Sequence, residues 1–294
     1  MMDYRVQYAE YLALFTRVLQ ECCDRYLPES SEVCRAARYS LLGGGKRVRA
    51  VLTLAACDLL DGDREAAANF AVAVEMLHAY SLIHDDLPCM DNDDMRRGQP
   101  SCHKAFDEAT ALLAGDVLQT EAFAVVVNAP ASPESCLRAA RLLSAGAGSQ
   151  GMVLGQELDL KYEAVAATEK QLRQIHHCKT GALINAAVQM GAAAAAAPQP
   201  ACQALERYAY DLGLVFQIVD DVLDVTGSEA ELGKPIGSDA QNGKTTFATL
   251  YGADGAMQLA EAINQANCAQ LQQIFGEKAA FLAALAAQLL CRHS

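Results

Sequence analysis

The sequence has no CxxC pair, no uninterrupted apolar run of bilayer-spanning length, no sustained strand alternation, and too little positive charge to balance its negative charge. Each absence removes a class of protein. Eleven cysteines without paired spacing make neither a disulfide scaffold nor a zinc framework. Cys102-His103 and His176-His177-Cys178 lack a second ligand pair at zinc spacing. Cys57, Cys202 and Cys291 stand in apolar helical stretches, where reduced cysteine acts as a small hydrophobe, so a reducing cytoplasm is expected. The most apolar segment, residues 182–197, contains Asn185, Gln189 and Gly191 and stops at Pro198. It reads as a buried helix, and no integral membrane segment is expected. Asp3, Arg5 and Glu10 predict no signal peptide. With 23 Lys and Arg against 36 Asp and Glu, the net charge is −13, which argues against nucleic acid as the partner. Neither Gly43-Gly44-Gly45-Lys46 nor Gly243-Lys244-Thr245 has the spacing of a Walker A loop.

What is present is helical. Hydrophobic residues are 52% of 294, enough for a large core. Apolar spacing predicts helices over residues 3–26, 31–43, 46–60, 64–86, 105–127, 134–163, 168–190, 201–225 and 246–291. Gly, Pro and Ser clusters predict loops at 98–100, 128–133, 198–200 and 228–245. The expectation is an all-α protein forming a single domain over residues 1–294.

The stretch His84 to Arg97 reads H-D-D-L-P-C-M-D-N-D-D-M-R-R, with Asp85, Asp86, Asp91, Asp93 and Asp94 in ten residues. Such a cluster repels itself unless a cation sits among the carboxylates. Mg²⁺ takes one or two carboxylates plus substrate phosphates, and Arg96 and Arg97 are suited to phosphate oxygens. A solvated acidic loop is the plain alternative. Asp85 and Asp91 would lie on different faces of a straight helix, but Pro88 between them is expected to distort it and swing Asp91 round.

A second motif, Gln217 to Asp224, reads Q-I-V-D-D-V-L-D. Helical spacing puts Gln217, Asp220 and Asp224 on one face of an otherwise apolar segment, where carboxylates are costly unless paired or metal-bound. If the two helices face each other, several Mg²⁺ ions fit between them. Lys46, Arg47, Arg49, Arg96, Arg97, Lys104, Lys179, Lys234 and Lys244 fall in or beside motifs, which suggests an anion site. The glycine turn before Lys46 stands at a predicted helix N-terminus, which favours phosphate. His78, seven residues before Asp85, is either a satisfied core histidine or part of the same cavity.

With these motifs the chain resembles the trans-isoprenyl diphosphate synthases, and most of all the bacterial farnesyl diphosphate synthases. The resemblance rests on G-G-G-K-R-V-R, H-D-D-L-P-C-M-D-N-D-D-M-R-R-G, L-L-A-G-D-V-L-Q, G-Q-E-L-D-L, H-H-C-K-T-G-A-L, F-Q-I-V-D-D-V-L-D and L-G-K-P-I-G-S-D, from about residue 31 onward. It implies an all-α fold of about a dozen helices around a deep central cavity, in a homodimer that condenses isopentenyl diphosphate head-to-tail with an allylic diphosphate, dimethylallyl or geranyl. It implies three Mg²⁺ ions, with Mn²⁺ as a substitute, held by Asp85, Asp91 and Asp220, with Asp86 and Asp224 in support. Arg96, Lys179, Thr180, Gln217, Lys234 and Lys244 would hold the allylic substrate. Gly45, Lys46, Arg49, His78 and Arg97 would hold isopentenyl diphosphate. Tyr80 and Ser81 would set product length, and Tyr80 with the Pro88-Cys89 insertion matches C15-forming enzymes. Ala50 departs from the family, where many relatives have proline. The segments 92–104 and 228–245 are candidate lids. Geranylgeranyl or geranyl diphosphate synthesis, a class I terpene cyclase, a silent partner subunit and a plain helical scaffold remain open.

Overall fold

The computed structural model describes residues 3–163, 165–226 and 244–291, and among them the chain is almost wholly helical. The chain divides into two compact units, one running up to Arg141 and including Met190–Ala196, the other made of Leu142–Gln189 and the chain from Ala197 onward. The elements are α1 Tyr4–Tyr26, α2 Glu32–Leu42, α3 Val48–Leu59, α4 Arg64–Asp85, β1 Met95–Arg96, β2 Gln99–Pro100, α5 Cys102–Ala105, α6 Glu108–Val127 and α7 Pro133–Ala147. Then come α8 Met152–Lys161, α9 Glu169–His176, a π-helical turn His177–Gly181, α10 Ala182–Ala194, α11 Gln199–Thr226, α12 Phe247–Phe275, a 3₁₀ turn Gly276–Ala279 and α13 Ala280–Leu290.

Local chemistry starts these helices where the sequence signals them. Asp3, Ser31, Asp63 and Asp107 accept from backbone N–H groups of the first turns of α1, α2, α4 and α6. Thr168 and Thr246 form capping boxes at α9 and α12. The third helix begins at Val48 rather than Lys46, because Arg47 takes a left-handed φ of 50°. The 105–127 segment separates into α5 and α6, and the 134–163 segment breaks into α7 and α8 around Gly148 and Gly151. Residues 198–200 are not a connector: α11 starts at Gln199, and Pro200 is tolerated in the first turn. The loop expected at 98–100 is the second half of an antiparallel hairpin pairing Met95 with Pro100 and Arg96 with Gln99. Cys57 and Cys202 are buried as expected, but Cys291 is exposed.

In the first unit α4 is apolar nearly all round and packs against α1, α3 and α6. Burying Phe70, Val72, Val74, Leu77 and Ile83 along it contributes about 1.5–3 kcal/mol per side chain. This seats the first aspartate motif at the end of a largely buried helix. In the second unit Val215, Ile218, Val219, Val222 and Leu223 of α11 pack with Phe247, Ala256 and Ala260 of α12 and with Leu172 of α9. The second aspartate motif is thereby fixed in the same way.

Candidate active site

In the first unit α4 ends at Asp85 rather than running on distorted through Pro88. The chain curls back so that the Asp91 amide donates to the Asp85 carbonyl at 2.8 Å, with Asn92 left-handed at φ 55°. The swing expected of Asp91 is therefore a turn, and it gathers Asp85 and Asp91 at one helix end. Asp85 is half-buried, whereas Asp86 is only 2% exposed. Asp86 accepts Arg96 Nε at 2.9 and 3.2 Å, and it pairs with Nη2 as well. Burial opposes the charge on Arg96, but Asp86 outweighs it and holds the guanidinium above its ordinary pKa. Arg96 also reaches Asp93 at 3.3 Å. The 92–104 segment is consequently an anchored hairpin, tied further by Tyr39 Oη to the Pro100 carbonyl and by Lys104 to Asp94.

The glycine turn lies in the same unit. Gly44 and Gly45 have φ of 86° and 107°, which only glycine adopts readily. A Cβ on Gly45 would also stand 2.8 Å from Arg97 Cζ. Arg97 Nη1 donates to the Gly44 carbonyl at 2.5 Å, and the Tyr8 hydroxyl donates to the Lys46 carbonyl. Arg49 Nε is buried without a hydrogen-bond partner, and burial lowers the Arg49 pKa against the opposing pull of Glu75. Burial first, and then Arg49, Arg97, Arg47 and Arg96, push His78 well below 6.5, so it is neutral at pH 7. Gly45, Arg49, His78 and Arg97 thus share one electropositive region, while Lys46 is exposed at its rim.

Tyr80 is 6% exposed and meets the His84 ring edge-on at 5.6 Å. His84 Nε2 lies 3.0 Å from the Leu112 carbonyl. A Cβ on Gly115 would meet that nitrogen at 2.1 Å, which explains the glycine of L-L-A-G-D-V. Ser81 Oγ donates to the His78 carbonyl at 2.9 Å.

In the second unit the π-helical turn carries Lys179 and Thr180. Such turns recur at functional sites because the extra residue redirects side chains. His177 stacks on Tyr210 at 4.0 Å beside it. Lys179 Nζ donates to Asp159 Oδ2 at 2.6 Å, and Lys244 Nζ reaches the same oxygen at 3.5 Å and Glu163 at 3.6 Å. Burial alone would raise the Asp159 pKa, but the two lysines prevail and lower it. Thr180 Oγ1 donates to Gln217 Oε1.

Along α11, Asp220 is half-buried, whereas Asp221 and Asp224 are 6% and 2% exposed. Asp221 Oδ2 accepts the Phe247 amide at 2.7 Å, at the start of α12, and lies 3.8 Å from His176 Nε2. Lys234 lies outside the described residues, as does most of the 228–245 segment. Its described end is anchored, since Thr245 Oγ1 accepts the Ala167 amide at 3.0 Å.

Glu75, Asp159 and Asp221 organise these clusters and escape a reading of the motifs. Glu75 did leave a signal, as the one charge between Phe70 and Leu77. Asp159 stands within the G-Q-E-L-D-L motif, but nothing in the sequence points it at Lys179.

The donors fit Mg²⁺. Among the described residues no three His, Cys, Asp or Glu side chains form a preassembled metal group. Two carboxylate residues drawn together at the end of α4 suit a hard cation completed by substrate phosphates, not an all-protein cage. Two helices, α4 and α6, are long and apolar enough to cross a membrane by length and composition. The α4 window is 78% buried in the protein, whereas the α6 window is 39% buried.

The polyprenyl synthetase family matches residues 30–279. The chain is 45% identical to a farnesyl diphosphate synthase of Micrococcus luteus over 80% of this chain and 81% of that one. It is 44% identical to geranylgeranyl pyrophosphate synthase 11, chloroplastic, of Arabidopsis thaliana, over 91% and 77%. A crystal structure of a geranyltransferase from Legionella pneumophila superposes with a TM-score of 0.88 at 38% identity, covering 99% of this chain and 97% of that one.

Proposed function

Because the chain belongs to the polyprenyl synthetase family and is a prenyltransferase, we propose that it condenses isopentenyl diphosphate head-to-tail with dimethylallyl and then geranyl diphosphate, releasing farnesyl diphosphate and diphosphate. The observation that carries this reading is the turn that brings Asp91 back onto Asp85 at the end of α4. Asp85 and Asp91 in the first unit, and Asp220 with Asp224 in the second, would hold Mg²⁺, three ions in all. The bound ions would supply Lewis-acid stabilisation of the charge that develops on the leaving diphosphate.

The chain's own residues do the rest. Arg96, fixed by Asp86, offers a guanidinium already oriented for the allylic diphosphate, with no reorganisation at the moment of ionisation. Lys179, Thr180, Gln217 and Lys244 present the cation and hydroxyl set of the second unit, and Lys234 is assigned to the same substrate. Gly45, Lys46, Arg49 and Arg97 bind the diphosphate of isopentenyl diphosphate. His78, kept neutral, donates a hydrogen bond there without adding charge. No nucleophilic side chain takes part: the π electrons of isopentenyl diphosphate attack the allylic cation, and the departed diphosphate takes the proton.

Tyr80 supports a C15 product as a buried aromatic one turn and a half before Asp85, with Ser81 beside it. Geranylgeranyl or geranyl diphosphate is the second reading of product length, since similarity to geranylgeranyl synthases is equally high. A homodimer is supported by α6, whose Leu112, Leu113 and Val127 are exposed with Leu137 of α7. A reducing, cytoplasmic setting agrees with eleven cysteines among which no disulfide forms.

The test is product analysis with isopentenyl and dimethylallyl diphosphates, with Mg²⁺ and after chelation. A metal-dependent C15 diphosphate is expected. A C20 product would overturn the chain length alone, and no condensation by folded protein would overturn the activity.

A further inference from the structure

We infer that the buried pair Glu75–Arg47 is a positioning device for the glycine turn, and that it tunes the affinity for isopentenyl diphosphate without touching it. The inference rests on the proposed assignment of Gly45, Lys46 and Arg49 to that substrate. Three observations carry it. Glu75 is 2% exposed in the middle of α4, and its Oε2 lies 3.5 Å from Arg47 Nη1. Its other oxygen, Oε1, accepts the Ala50 amide at 3.2 Å, so a side chain from α4 caps the first turn of α3, where Arg47 provides no side-chain cap. Arg47 is left-handed at φ 50°, an unfavourable conformation for a residue with a Cβ, and its Nη2 donates to the Leu41 carbonyl at 2.6 Å.

The pair therefore clamps the turn at both ends. Leu41 lies in the last turn of α2, before the glycines, and Ala50 in the first turn of α3, after them. Between these points the Gly44 and Lys46 carbonyls are held by Arg97 and Tyr8. With those carbonyls engaged, the turn is fixed in the conformation that presents Lys46 and Arg49. A buried ion pair adds little net stability compared with apolar residues of similar volume, so a role in conformational specificity accounts for its presence better than stability does.

The test is the double variant Arg47→Met/Glu75→Leu, which removes one charge of each sign and leaves the net charge unchanged. A purely structural pair predicts ordinary kinetics once the protein is folded. A positioning pair predicts a rise of about ten-fold or more in KM for isopentenyl diphosphate, with allylic KM and kcat within about two-fold of wild type. Equal changes in both KM values, or none, would overturn the inference. If the double variant does not fold, Glu75→Gln keeps the volume and one acceptor oxygen, and a selective KM rise of about three-fold is expected; an unchanged or lower KM would overturn the inference. Arg49→Met is run in parallel. If it raises that KM and the pair variants do not, only the positioning role fails; if neither moves it, the assignment of the turn to isopentenyl diphosphate fails as well.

Discussion

The two aspartate motifs solve the same problem in different chemistry. Each contains an Asp-Asp pair whose first member is half-buried and whose second is sequestered, Asp85 and Asp86 in the first unit, Asp220 and Asp221 in the second. Asp86 is engaged by a guanidinium, so it fixes a side chain that itself belongs to the proposed allylic-diphosphate site. Asp221 is spent on a backbone amide, so it fixes where α12 begins. Adjacent carboxylates in a sequence are thus not interchangeable ligands. A helix turns 100° per residue, so only one of two neighbours faces a given cavity, and the other must find a partner inside.

The largest effect that sharpens this contrast is on turnover. Asp85→Asn and Asp220→Asn are expected to lower kcat by about 10³-fold with little change in melting temperature, as removal of charge-stabilising groups does. Steady-state rates and thermal melts on the same samples check this. Asp86→Ala and Asp221→Ala should separate from each other in stability. Loss of Asp86 leaves Arg96 short of its main counter-ion and is expected to cost about 3 kcal/mol. Loss of Asp221 removes a helix-capping acceptor and is expected to cost about 1–2 kcal/mol. Equal urea midpoints for the two variants would break the distinction.

Next in size is product length. Tyr80→Ala removes a ring packed edge-on against His84 and is expected to shift the product from C15 toward C20 or longer by chromatography of the dephosphorylated alcohols. An unchanged C15 product would place the floor elsewhere, with Ser81 next in line.

The smallest effect is a pH slope confined to the first unit. His78 has a folded pKa below its ordinary 6.5, so above that pH both states are neutral and it contributes nothing to the slope. Below 6.5 the unfolded chain takes up a proton that the folded one refuses, and stability is lost as pH falls. Urea unfolding between about pH 5.5 and 7.5 should show this loss, at most about 1.4 kcal/mol per pH unit, and His78→Gln should remove that part of it.

Much of this was legible in the sequence because it is periodic or locally capped. Ser31 marked a helix start that the structure keeps, and the helical pattern from Arg64 matched α4 to within one residue of its end, whereas Pro88 read as a distortion and not as the turn that follows α4. The Gly98-Gln99-Pro100 segment read as a loop because a hairpin with two-residue strands has no alternation to detect. The π-helical turn at His177–Gly181 was hidden for a related reason, since one extra residue in a helical pattern changes no residue type. Glu75, Asp159 and Asp221 were missed as organisers because their partners are distant in sequence: Asp159 meets Lys179 twenty residues on, and Asp221 meets Phe247 twenty-six residues on.

One contact in the second unit has mechanical weight. A Cβ on Gly155 would stand 2.0 Å from the Lys179 amide nitrogen, so α8 and the π-helical turn touch main chain to main chain there. Two backbones in contact have no rotamers to absorb a displacement. Asp159, one turn further along α8, and Lys179 therefore move as parts of a single rigid lever, and the lysine cannot be shifted toward a substrate by side-chain choice alone. Even an alanine at position 155 would pry that lever open, and would mimic a defect in the charged site while leaving every charge in place.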